Sequence, residues 1–202
     1  MIKDMRDFRI KTPKMPQTVE MVVSLKVPDT TAITALQTLQ RIGFAKIKDV
    51  QRAEYYKFLI EGDADKFKNK ICKVDILVNA NKHLYDFSIK KNNNVKILVK
   101  STKIEDRENQ RFSVSQKSKS FSRDFRDTKN PKDFLVNIND DGSGILITLK
   151  NRLGFKNIKS VEKAVLWNLA IDADEKEARK IAEKAAKELL VNENYQEYSI
   201  IG

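Results

Sequence analysis

One cysteine, one histidine, one tryptophan, four prolines and six glycines are present in 202 residues, and each scarcity removes a class of protein. A lone Cys72 excludes an internal disulfide and any cysteine-based metal knuckle. A lone His83, in a polar stretch, excludes a histidine metal cluster and a two-histidine acid/base device, so an ordinary surface role is expected for it. Long apolar runs are missing as well. The uncharged stretches 145–149 and 164–171 are five and eight residues long, whereas a bilayer span needs about 20. The opening Met-Ile-Lys-Asp-Met-Arg-Asp mixes charges of both signs, which fits neither a secretory nor a transit signal, and a cytoplasmic address is the expectation.

Charge is plentiful and unevenly placed. The chain carries +11, and residues 90–132, with 13 Lys/Arg against 5 Asp/Glu, supply +8 of it. This region is poor in large apolar side chains after Val99 and contains a Ser/Lys/Gln tract at 113–120, so residues 100–133 are expected to form a basic flexible linker. Val95 to Val99 adds a short strand, expected to turn back on residues 87–89 through Asn92, Asn93 and Asn94.

Sliding the chain along itself by 111 residues reveals a repeat across the linker. Arg41, Gly43, Phe44, Ile47, Lys48 and Val50 fall on Arg152, Gly154, Phe155, Ile158, Lys159 and Val161, and 13 of 50 positions from 40 to 89 are identical. A shift of two further residues aligns Leu77, Val78 and Asn79 with Leu190, Val191 and Asn192. Two related units, 19–99 and 134–202, follow an extension at 1–18. Each unit begins with period-two alternation, Val19, Met21, Val23 and Leu25 or Phe134, Val136 and Ile138, the mark of a strand. A helical stripe ends at Gly43 or Gly154, where a left-handed cap is wanted. Two strands follow, at 47–52 and 53–61 or at 158–163 and 164–172. Asp63 and Asp174 suit the N-caps of second helices, and last strands close the units near 85–89 and 195–201. The order βαββα(β) predicts an α+β fold of two-layer units with antiparallel sheets.

Strands around Tyr55 and Trp167 are apolar on both sides, which a sheet covered by helices on one face does not require. Loops over central strands are one cover for the second face. The cover expected here is the sister unit. The two sheets would pack face to face as an intramolecular pseudo-dimer, with Tyr56, Phe58, Ile60, Val165, Trp167 and Leu169 at the sheet-to-sheet interface.

No catalytic constellation is apparent. Asp140 to Gly144 opens a helix but lacks the Gly-Lys-Ser/Thr of a phosphate loop, and a capped turn is the expected reading. An RNA-binding or adaptor role is the alternative class, because βαββαβ is also the order of RNA-recognition modules. The basic run Arg41 to Ile47 only partly matches their signature and lies at a helix end.

Leu153-Gly154-Phe155, Val161-Glu162-Lys163 and above all Leu189-Leu190-Val191-Asn192 leading to Glu197-Tyr198-Ser199 resemble the small PurS subunit of phosphoribosylformylglycinamidine (FGAM) synthase. Unit one carries weaker counterparts in Ile42-Gly43-Phe44 and Ile76-Leu77-Val78-Asn79. Two loops depart from the family pattern, at Pro28-Asp29-Thr30 with its counterpart Asp140-Asp141-Gly142 and at Ala53-Glu54 with its counterpart Ala164-Val165. The resemblance implies a non-catalytic partner in purine biosynthesis that binds no cofactor or metal itself. The ATP, Mg and glutamine of the complex are handled by a synthetase (PurL-type) and a glutaminase (PurQ-type) subunit. It further implies self-association and a role in passing ammonia between those partners.

Overall fold

The computed structural model describes residues 15–90, 92–101 and 141–201. In chain order these form β1 (Pro16–Leu25), α1 (Thr30–Arg41), β2 (Ile47–Glu61), α2 (Ala64–Ile71), β3 (His83–Asp86), β4 (Val95–Ser101), α3 (Ser143–Asn151), β5 (Ile158–Ile171), α4 (Glu175–Ala185) and β6 (Gln196–Ile201). The strands make one antiparallel sheet of order β3-β1-β2-β5-β4-β6, with the four helices on one face. The fold is therefore mixed α/β with a single sheet. Two sheets packed face to face, as expected from the sequence, are not what forms: β2 and β5 pair along their lengths and join the two halves edge to edge.

Local chemistry sets the elements. Asp29 and Asp63 sit in extended conformation at the N-caps of α1 and α2, where their carboxylates accept from Thr31 N and from Asp65 and Lys66 N. Asp174 does the same for α4 through Glu177 N, satisfying donors that a helix start leaves orphaned. Asp63→Ala is expected to cost about 1 kcal/mol, read as a lower urea midpoint. Gly142 begins α3 with φ of +95°, and a Cβ there would lie 2.8 Å from Val161 O, so only glycine fits. Asp141 Oδ1 accepts from Ser143 N, giving the capped turn expected at this point; Asp140 lies outside the described residues. Helix α4 runs on into a π-helical turn, Ala186–Leu190.

Three expectations change. The paired short strands at 47–61 and 158–172 are single strands of 15 and 14 residues. Val95 to Val99 does not turn back on residues 87–89; as β4 it inserts between β5 and β6. β1 begins at Pro16, inside the expected extension. The linker from residue 102 onward and the strand expected at Phe134, Val136 and Ile138 lie outside the described residues. Beside β5, the place that β1 holds beside β2 is taken by β4.

The register is mirrored about the centre of the sheet. One row crosses all six strands as Tyr85, Val23, Glu54, Val165, Val99 and Tyr198. Glu54 and Val165, at its middle, are 111 positions apart, the offset of the repeat. Ala53 faces Leu166 as Tyr55 faces Ala164. Hydrogen bonds repeat the relation: Glu61 N donates to Asn157 O at 2.8 Å and Asp172 N to Lys46 O at 2.9 Å. At the end of each half the same turn recurs. Asn79 N donates to His83 Nδ1 and Asn192 N donates to Gln196 Oε1. His83 thus serves a turn.

Candidate functional site

Alternation along β2 and β5 sends Tyr56, Phe58, Ile60, Val165, Trp167 and Leu169 to the helix-covered face. Tyr56, Phe58 and Ile60 lie in a core with Val19, Met21 and Val23 of β1, Phe67 and Ile71 of α2 and Leu149 of α3. Trp167 and Leu169 lie in a second core with Ala35 and Leu39 of α1, Ile97 of β4 and Ala182 of α4, and Val165 packs against it. Each core draws on both halves: α1 packs with Ile47 and Val50 of β2 as well as Trp167 and Leu169 of β5, and Leu149 of α3 lies with Ile158 and Val161 of β5 as well as with β1 and β2. The six residues meet helices where the sequence placed a second sheet.

Between the cores runs a polar seam. Arg52 reaches Asp29 at 3.6 Å, Lys163 reaches Glu54 at 3.9 Å, and the Tyr56 hydroxyl donates to Glu54. These are half-buried pairs, whose charges offset a desolvation cost in place of adding much net stability.

On the face without helices, Tyr55, Leu98, Ala164 and Leu166 form a small buried cluster. Its cover includes Ile89, which follows β3 in the chain, together with Val22, Ala53 and Ile201. Tyr55 is 3% exposed. Burial, reinforced by a hydrogen bond to Glu20, pushes its phenol well above the ordinary 10.0. A raised folded pKa gives stability that is complete below pH 10.0 and declines as pH rises through the folded value. Wild-type stability is expected to fall as pH rises above about 10, and Tyr55→Phe to flatten that fall, as followed by urea midpoints at each pH.

Chemistry elsewhere is sparse. Cys72 is half-buried, its thiol 3.8 Å from Asn69 O. No group of three or more His, Cys, Asp or Glu side chains among the described residues is placed to hold a metal ion. No helix of the described residues is long and apolar enough to cross a membrane. The central aromatics Tyr56, Phe58 and Trp167 are buried under helices, and Tyr55 under its cluster, so these strands offer no open stacking platform of the RNA-recognition kind. Sequence reading missed a groove of about 430 Å³ in which Thr30, Thr31, Thr34 and Thr38 of α1 face Leu189 and Leu190 of the π-helical turn over Trp167. The signal for it was the threonine spacing of four along one face of α1.

The described residues thus form a single sheet whose two cores are each built from both halves of the chain. Within it, residues 138–201 match the PurS family model, described as phosphoribosylformylglycinamidine (FGAM) synthase. The match spans α3, β5, α4 and β6. This segment is PurS-like and indicates a role in FGAM synthase of purine biosynthesis. Searches of curated proteins and of solved structures return no match to the chain.

Proposed function

We propose that the chain is a non-catalytic structural subunit of FGAM synthase in which two PurS-like units are fused in tandem. It bridges a glutaminase (PurQ-type) and a synthetase (PurL-type) subunit, and assists ammonia transfer during the ATP- and glutamine-dependent conversion of formylglycinamide ribonucleotide to the amidine. The observation that carries this reading is the position of the family match. It covers β5 and β6, two of the three strands in one half of a sheet whose other half repeats the register about the Glu54 and Val165 pair. Pairings in which residue i meets j while the counterpart of j meets that of i are the signature of an isologous dimer interface, here within one chain.

In this reading β4 is the first strand of the second unit, and the basic segment from residue 102 onward is an insertion between that strand and α3. A covalent link keeps the second unit at an effective concentration of roughly millimolar, so pairing does not depend on protein concentration. ATP, Mg and glutamine belong to the partners, and this chain supplies surface. Co-purification tests the assignment. A tagged chain mixed with the glutaminase and synthetase of the same cell, with ADP and glutamine present, is expected to elute with both on size exclusion. Elution of the chain by itself under those conditions contradicts the assignment.

A further inference from the structure

Lys96 is the one charged residue recorded as buried among the described residues, at 6% exposure. It projects from β4 on the face without helices, opposite Asn168. Its ammonium donates to Asn92 Oδ1 at 2.7 Å and to Asn94 O at 3.3 Å, both neutral acceptors. No carboxylate among the described residues lies within ion-pair distance of it, and burial lowers its pKa. A lysine removed from water without a counter-charge is costly, and lysines are almost never buried unless paired.

This side chain lines a groove of about 900 Å³ beside residues 87–90 and Asn92. The volume lies within the range of small-molecule sites. Lys68 and Lys90 also line it, and Glu20 is the only carboxylate among the described lining residues. Lys68 is paired with Asp65 at 3.6 Å and lies over the Phe87 ring, so Lys90 and Lys96 set against the single carboxylate of Glu20 give the groove its net positive lining. Phe87, Ile89 and Ile201 give it an apolar wall, and Ser88, Thr18 and Asn92 add neutral polar groups. Convergent cations beside an aromatic and aliphatic wall match a ligand with an anionic group at one end and a flat apolar body at the other.

We propose that this groove binds a phosphate ester bearing a planar ring, with Lys96 and Lys90 taking the phosphate and the ring lying on the Phe87 and Ile89 wall. An anion there supplies the counter-charge that Lys96 lacks. It also bridges Lys96 of β4 and Lys90. The existence of the site does not depend on the assignment to FGAM synthase.

The test is calorimetric titration of the full chain with AMP as probe, and in separate arms with inorganic phosphate and with adenosine. AMP is expected to bind more tightly than either fragment. Lys96→Met and Lys90→Gln are each expected to weaken AMP binding by about tenfold or more, the share of a charge-assisted contact. Lys96→Met keeps the length and apolar stem of the side chain, and Lys90→Gln alters an exposed position, so the second variant answers if the first fails to fold. Three results overturn the proposal: no heat with AMP up to about 5 mM, equal affinity in both variants and wild type, or adenosine binding as well as AMP.

Discussion

Residues 1–94 and 95–202, produced as separate chains, are expected to show no cooperative unfolding transition apart, and to regain one on mixing. The cores dictate this. Ala32, Ala35 and Leu39 of α1 lie against Trp167, Leu169 and α4, and Leu149 of α3 lies against β1, β2 and α2. A cut at residue 94 splits both cores, leaving α1 without Trp167 and Leu169 and Leu149 of α3 without β1, β2 and α2, and opens the long edge between β2 and β5. Against a total stability of about 5–15 kcal/mol for a domain, losing two shared cores removes all of it. Trp167 is the only tryptophan and sits in the second core beneath α1, so its emission reports the reunion directly. A red-shifted spectrum for fragment 95–202, shifting blue when fragment 1–94 is added, is the expected result. Two fragments that each melt cooperatively alone would show that the cores are separable.

Phe58→Ala is expected to have the largest effect of any single substitution. The ring is fully buried, stands 6.2 Å from Tyr56 and 5.3 Å from Phe67 between ring centres, and faces Val161 across the strand pair. Truncation removes aromatic contacts on both sides and leaves a void that strands cannot close without disturbing the register with β5. A loss of about 3–5 kcal/mol follows. In urea this appears as a lower midpoint with an unchanged slope. A loss below about 1 kcal/mol would mean that the first core repacks freely around the site.

Much of the fold is legible in the residues. The alternation of Val19, Met21 and Val23, the stripes of α1, α2 and α4, the glycines at 43 and 154 with positive φ, and the capping aspartates at 63 and 174 all appear where their chemistry places them. Each of these signals is local. The sheet order is not, because alternation reports which side of a strand is apolar and is silent about which edge pairs with which. The two-sided apolarity around Tyr55 and Trp167 is real, and its cause lies in two different covers. Tyr56 and Trp167 face helices, while Tyr55 and Leu166 face a cluster shared with Ile89.

The long strands read as pairs of short ones for a related reason. Gln51, Arg52 and Glu54 put polar residues at mid-strand, which from sequence resembles a break. In the sheet these positions lie at and beside the polar seam between the cores, where Arg52 and Glu54 find Asp29 and Lys163. Residues 95–99 carry the same alternation as β1, and only the pairing with β5 and β6 shows whose strand they are. The lysine at 96 is unremarkable in a list of 39 Lys and Arg, since its burial arises only in the folded chain.

The central claim is that this chain acts on ammonia transfer between partners. The direct measurement is amidine formation by the glutaminase and synthetase, with and without the full chain, using first glutamine and then free ammonium as nitrogen source. The account predicts that glutamine-dependent turnover requires the chain while ammonium-dependent turnover by the synthetase does not. Equal glutamine-dependent rates in its presence and absence would contradict it.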